Sequence, residues 1–217
     1  MTQPQLQVAL DQLALAEALQ SLTLLAPHID IIEAGTLLCC SVGMQAVRTL
    51  REAYPQHTLV ADLKAADAGE TMTRLAMDAG ADWTTVICAA PLATIEKAHE
   101  TAEEYGGEIQ IELFGHWTLN DARDWQRIGI RQAIYHRGRD AQAKGQGWSA
   151  TDLDLLRALA DIGIAPSVTG GLDAQDLALF KGIPVRAFIA GRALYGAPEP
   201  AAAAQAFRQQ IRQYWGQ

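Results

Sequence analysis

The chain has 217 residues, 49% hydrophobic and 19% charged, an ordinary globular composition that excludes a disordered chain. Lys and Arg number 17 and Asp and Glu 25, for a net charge of −8 with no basic block, which excludes a nucleic-acid backbone or an anionic membrane surface as partner. Cys39, Cys40 and Cys88 fit neither a disulfide framework nor a zinc spacing, so a reducing compartment is expected.

Short β-branched runs alternate with longer amphipathic ones. The first short run is Leu6–Leu10, ending at Asp11; a Leu- and Ala-rich helical pattern follows from Leu13 and stops at Pro27. Asp30–Ala34 is the second, followed by Gly35, with Ser41 expected to cap a helix that carries Val47, Leu50 and Tyr54 before Pro55. The third, Thr58–Lys64, precedes a helix from Gly69 to Ala79, where Gly80 suits a left-handed C-terminal position. Trp83–Ala89 is the fourth; Pro91 fits the first turn of its helix and Gly106-Gly107 ends it. After the fifth, Glu108–Leu113, Thr118 and Asp121 have capping-box spacing. Gln132–His136 is the sixth, its helix opened by Ser149 or Thr151 and closed by Gly163. Pro166–Thr169 and Arg186–Ala190 complete the series, and Pro200 to Trp215 reads as a closing helix.

Strands separated by helices imply parallel pairing with right-handed crossovers. Eight such units predict a (β/α)8 TIM barrel, an α/β fold occupying residues 1–217 as one domain. The alternative is an open doubly wound sheet, which usually places a Gly-rich phosphate loop after its first strand. Here that strand ends in Leu-Asp-Gln and the Gly-rich turns come late. The opening Met-Thr-Gln-Pro-Gln lacks a signal-peptide pattern and no apolar stretch is long enough to span a bilayer, so a soluble, cytoplasmic protein is expected.

Ionisable residues collect at the C-terminal ends of five runs: Asp11, Glu33, Asp62 with Lys64, Glu112 and His136. Barrel enzymes build their active sites at that rim. Taken alone, Asp11 would suit a helix cap and His136 a satisfied core histidine. Together they resist that reading, because structural charges have no reason to choose one end of successive strands. Asp62 and Lys64 lie two apart on a strand and share a face; Asp67 follows where the chain turns. Thr169-Gly170-Gly171 after strand seven and Gly191-Arg192 after strand eight suit phosphate, through close backbone approach and a guanidinium fork. Four inward carboxylates need a counter-charge. A hard divalent cation, Mg2+, on Glu33 and Asp62 meets that need.

Asp62-Leu-Lys64-Ala-Ala-Asp67 resembles the Asp-x-Lys-x-x-Asp signature of the orotidine 5′-monophosphate decarboxylase superfamily. The resemblance covers almost the whole chain. Leu-Gln-Val-Ala-Leu-Asp11, Ile-Ile-Glu33-Ala-Gly-Thr, Ile-Glu112-Leu, Tyr-His136-Arg-Gly-Arg139, Val-Thr169-Gly-Gly171 and Phe-Ile-Ala-Gly191-Arg192 are similar to its 3-keto-L-gulonate-6-phosphate decarboxylase branch, while Phe114-Gly-His116 departs from it. The resemblance implies decarboxylation of that sugar phosphate to L-xylulose 5-phosphate in L-ascorbate utilisation. It implies Mg2+ on Glu33 and Asp62, and Lys64 as stabiliser of the intermediate. Asp67 would complete the neighbouring site of a homodimer, and His136 and Arg139 would deliver the proton. Asp11, Glu112 and Thr169 would contact substrate, and Gly170, Gly171, Gly191 and Arg192 would hold its phosphate. The nearest rival is the aldolase branch, 3-hexulose-6-phosphate synthase, which shares the acidic rim but carries a smaller residue where Arg139 stands. The other is a non-catalytic sugar-phosphate-binding barrel, which has no use for Lys64 between two aspartates.

Overall fold

A computed structural model describes residues 2–138 and 147–216. All eight short runs form strands: β1 (Gln5–Leu10), β2 (Ile31–Ala34), β3 (Thr58–Ala65), β4 (Trp83–Ile87), β5 (Glu108–Leu113), β6 (Gln132–His136), β7 (Ala165–Thr169) and β8 (Ala187–Ala190). Each pairs in parallel with the next, and β8 pairs with β1, closing the barrel. The helices are α1 (Leu15–Leu25), α2 (Thr36–Val42), α3 (Gln45–Ala53), α4 (Gly69–Asp78), α5 (Leu92–Glu104), α6 (Leu119–Arg127), α7 (Ala150–Ile162), α8 (Arg192–Tyr195) and α9 (Pro200–Trp215). No helix among the described residues is long and apolar enough to cross a membrane.

Several local expectations hold for the expected reasons. Thr118 and Asp121 form a reciprocal capping box on α6, as Ser149 and Asp152 do on α7. Gly80 and Gly163 adopt positive φ where α4 and α7 end. Three expectations need correction. Ser41 is inside α2, its hydroxyl donating to the Leu38 carbonyl, because the chain after β2 makes two helices broken at Gly43 rather than one. Pro91 is the residue before α5 rather than within its first turn. Between β7 and β8 the chain makes a 3-10 segment, Ala174–Phe180, rather than an α-helix.

Alternation sorts each strand's side chains. Leu6, Val8 and Leu10, with Ile32, Leu59 and Phe188, face outward and pack with Leu22, Leu50, Phe207 and Trp215 of the helices. Ile109, Ile111 and Leu113 do the same against Ile95 and Trp125. Losing one such buried Leu side chain costs about 2–5 kcal/mol. Arg208 of α9 forks onto both carboxylate oxygens of Asp30 at 3.0 and 3.1 Å, and Asp30 accepts the Leu6 N–H at 2.8 Å. That ties the last helix to the first strands.

The barrel interior holds a small apolar plug, Ile31, Val60, Trp83 and Ala187. Fully buried Gln7, Thr85, Gln110, Gln132 and Ser167 share the inward-facing positions. Glu33, Asp62 and Glu112 cap this polar filling toward the C-terminal rim. The strands thus carry carboxylates on inward positions while their outward positions supply the core.

Candidate active site

Asp11, Glu33, Thr36, Asp62, Lys64, Glu112, His136 and Thr169 line one hollow of about 260 Å3 at the C-terminal mouth. It shares Ala9, Asp11, Thr169 and Ile189 with a second hollow of about 360 Å3, lined by Gly170, Gly171, Gly191 and Arg192. The two form one cleft with an acid–base end and a glycine-lined end carrying an exposed guanidinium. Asp11 is not a helix cap, since α1 starts beyond Ala14. Gly35 lets it sit there: a Cβ on Gly35 would lie 2.5 Å from Asp11 Oδ1 and 2.6 Å from the Leu10 carbonyl oxygen. Gly170, at φ +113, is needed for a similar reason, because a Cβ there would lie 2.2 Å from the Arg137 carbonyl oxygen.

The floor is a charge network. Lys64 Nζ is paired with Asp62 and lies 3.3 Å from Glu112 Oε1. It also donates to Thr36 Oγ1 at 3.0 Å. Asp62 accepts from Thr36 Oγ1 at 2.6 Å and from Thr85 Oγ1 at 2.7 Å. Glu112 shares a hydrogen bond of 2.5 Å with His136 Nδ1. Lys64 thus takes its second carboxylate from β5 rather than from Asp67, which is exposed on the loop after β3 and outside this cleft. Lys64 also has φ +46, a left-handed conformation that costs a non-glycine residue roughly 1–2 kcal/mol. Arg139 lies outside the described residues.

Burial opposes the charge on Lys64, but the Glu112, Asp62 and Glu33 carboxylates outweigh it and lift its pKa above the usual lysine range. Burial would also raise Asp62; the Lys64 ammonium and the Lys64, Thr36 and Thr85 hydrogen bonds reverse that and hold it below the usual carboxylate range. Glu33 differs. Burial, then the charge of Asp62, drives its pKa well up, and the Lys64 ammonium and the Gln7 amide at 2.5 Å only partly offset them.

A carboxylate so placed calls for a proton or a cation. Glu33 and Asp62 offer hard oxygen donors on the floor of the cleft, which suits a divalent metal. Among the described residues, no three His, Cys, Asp or Glu side chains gather into a closed cage. A metal here would therefore complete its shell with water and substrate oxygens, a habit of Mg2+.

Sequence reasoning missed four contributors: Gln7, Thr36, Thr85 and Arg137. Gln7 is two positions before Ala9 and four before Asp11, so strand parity gives its face but not its contact with Glu33. Thr36 follows Glu33 at the turn out of β2. Arg137 donates to the carbonyls of Gly170 at 2.9 and 2.6 Å and of Gly171 at 3.1 Å, and stacks on Trp148 at 4.9 Å. It thereby shapes the glycine loop of the second hollow. Nothing in its local sequence marks that reach.

Comparison with known proteins adds an independent line. The model of the orotidine 5′-phosphate decarboxylase / HUMPS family matches residues 4–207. The chain is 59% identical to the 3-keto-L-gulonate-6-phosphate decarboxylase SgbH of Escherichia coli (strain K12), over 100% of this chain and 98% of that protein. The crystal structure of KGPDC from Streptococcus mutans, solved as a ligand complex, superposes with a TM-score of 0.97 at 43% identity, covering 99% of this chain and 100% of the other. A solved 3-hexulose-6-phosphate synthase has a TM-score of 0.90 at 32% identity, covering 95% and 99%.

Proposed function

The chain belongs to the orotidine 5′-phosphate decarboxylase / HUMPS family, and on that premise we propose that it decarboxylates 3-keto-L-gulonate 6-phosphate to L-xylulose 5-phosphate and CO2. The observation that carries this reading is the Lys64 ammonium, paired with Asp62 and Glu112 on the floor of a cleft whose other end is glycine-lined and carries Arg192.

The substrate is a β-keto acid, and losing CO2 leaves an enediolate with negative charge over two vicinal oxygens. Lys64 keeps a fixed positive charge where that charge develops. Its raised pKa keeps it an ammonium throughout the neutral range. His136, hydrogen-bonded to Glu112, stands at the rim to give the carbanion carbon its proton, directly or through water; Arg139 assists there. Asp11, Glu112 and Thr169 orient the sugar hydroxyls. Gly170, Gly171, Gly191 and Arg192 take the phosphate. Glu33 and Asp62 would hold Mg2+, which when bound supplies Lewis-acid stabilisation of the vicinal oxygens.

The partner is a second copy of the chain. Asp67 is exposed and outside its own cleft, and in this reading it completes the site of the neighbouring copy. Lys64→Ala and Asp67→Ala chains, each inactive, should regain activity when mixed, because one site of the mixed dimer keeps both residues. No recovery, or a monomer in sedimentation, would sink the dimer. The three cysteines are free, which fits a reducing cytoplasm.

The aldolase remains a second reading because a solved synthase shares the fold so closely. The greater identity to a decarboxylase favours the first. The deciding experiment gives the purified protein 3-keto-L-gulonate 6-phosphate with Mg2+, beside ribulose 5-phosphate with formaldehyde. CO2 release that EDTA stops is expected; condensation without CO2 release would make it the synthase, and silence in both with sugar phosphate still bound would make it a binding protein. In the same assay Arg192→Ala should raise KM by about 10- to 100-fold, the loss of one hydrogen bond to a charged group. An unchanged KM would place the phosphate elsewhere.

A further inference from the structure

The pairing of β3 with β4 is irregular at one place. Ala61 pairs with Thr84 and Ala65 with Val86, so the single residue Thr85 stands opposite Asp62, Leu63 and Lys64. Such a bulge re-aims side chains and leaves backbone groups without ladder partners. Here the Lys64 N–H finds its partner in a side chain: it donates to Thr85 Oγ1 at 2.8 Å, and that hydroxyl donates its own proton to Asp62 Oδ1 at 2.7 Å. Thr85 is fully buried and does not line the cleft. It therefore cannot be a substrate contact.

We propose that Thr85 is a positioning residue for the proposed reaction: its hydroxyl fixes the left-handed backbone at Lys64 and the orientation of the Asp62 carboxylate together, and so aims the ammonium at the oxygens on which negative charge develops. The inference rests on the decarboxylase reading for the meaning of that aim, though not for the geometry. Thr36 offers a useful contrast. Its hydroxyl also bridges Asp62 and Lys64, but it joins two groups already paired directly. Thr85 instead joins the Lys64 backbone N–H to Asp62 Oδ1, across the bulged stretch of the strand, whereas the two side chains are paired separately through Asp62 Oδ2. A threonine serves better than a serine by filling the buried position, but the hydroxyl alone makes both bonds.

The test compares Thr85→Val, isosteric without the hydroxyl, with Thr85→Ser, which keeps it. Two readouts are taken on the full chain: hydrogen exchange of the Lys64 amide, and steady-state CO2 release. For Thr85→Val we expect Lys64 amide exchange about tenfold faster or more, and kcat about 10- to 100-fold lower with KM nearly unchanged, as a small misplacement of a catalytic group produces. Thr85→Ser should restore both. A Val variant with wild-type kcat, a change confined to KM, unchanged amide exchange, or a Ser variant as impaired as Val would each overturn the proposal. If the Val variant does not fold, Thr85→Ala takes its place; if neither folds while Ser does, the hydroxyl serves the fold and the proposal falls. A wild-type chain that releases no CO2 would refute the decarboxylase reading instead, and amide exchange would still decide whether Thr85 holds Lys64.

Discussion

Lys64→Ala is expected to lower kcat by about 10²–10³-fold or more, the scale set by removing one preorganised group that meets developing negative charge. The variant should also be less stable, which separates two roles of one ammonium. Without it, Asp62 and Glu112, 4% and 2% exposed, lose their nearest cation. Removing one partner of a buried ion pair costs roughly 3–5 kcal/mol. Asp62 keeps its Thr36 and Thr85 hydrogen bonds and Glu112 keeps His136, so the loss should stay below a full uncompensated charge and the barrel should survive. Its pH dependence follows from Asp62. A carboxylate with a depressed folded-state pKa adds stability above its unfolded pKa, near 3.8, and loses it as pH falls through the folded value. Deleting Lys64 cancels that contribution. The gap in Tm between wild type and variant should therefore be widest near neutrality and narrow on acidification below pH 3.8. A variant with near-normal kcat would remove Lys64 from the chemistry, whatever its stability.

The barrel was legible because its signals are local. Short strand-like runs such as Trp83–Ala89 and Gln132–His136, capping pairs such as Thr118 with Asp121, and stops such as Gly80 each act over a few residues. Eight repeats of that rhythm leave few topologies. Most of the charged floor was legible for a related reason: an acidic residue at the end of an apolar run, as in Ile-Ile-Glu33-Ala, has no ordinary structural use. What stayed hidden depends on closure of the barrel. Thr85 sits in a run that reads as any β-strand, and its role exists only because β3 bulges across from it. The positive φ of Lys64 is equally silent, since nothing about a lysine announces a left-handed backbone. Gln7 becomes informative only when β2 is known to lie beside β1 with Ala9 opposite Glu33. The pairing of Lys64 with Glu112 joins β3 to β5, two strands apart in the barrel.

Glu33→Gln should be inactive yet more stable than wild type when metal is withheld. Glu33 is buried with Asp62 nearby, and the Lys64 ammonium and the Gln7 amide together offset this only in part. Its folded-state pKa is therefore well above the ordinary 4.5. A group with a raised folded-state pKa stabilises the fold while it holds its proton, below the unfolded pKa, and that stability drains away as pH rises toward the folded value. In EDTA, wild-type Tm should fall on raising pH from about 4.5 into the neutral range, with Glu33 as one cause. Glutamine keeps the shape and an oxygen for the Gln7 amide but has no charge to bury. In EDTA near neutral pH its Tm should exceed wild type by about 3 °C or more, where 1 kcal/mol moves Tm by about 2–4 °C in a domain of this size. Adding Mg2+ should reverse the order. A ligand that binds only the folded state stabilises by mass action, and a carboxylate holds a hard divalent cation better than an amide does. CO2 release should fall at least about 100-fold in the variant, a few kcal/mol of Lewis-acid assistance. Thermal melts of both proteins with EDTA and with Mg2+ test the idea. Equal Mg2+ stabilisation of the two would remove Glu33 from the metal site, and a destabilised Glu33→Gln in EDTA would mean that its carboxylate is already compensated without a cation.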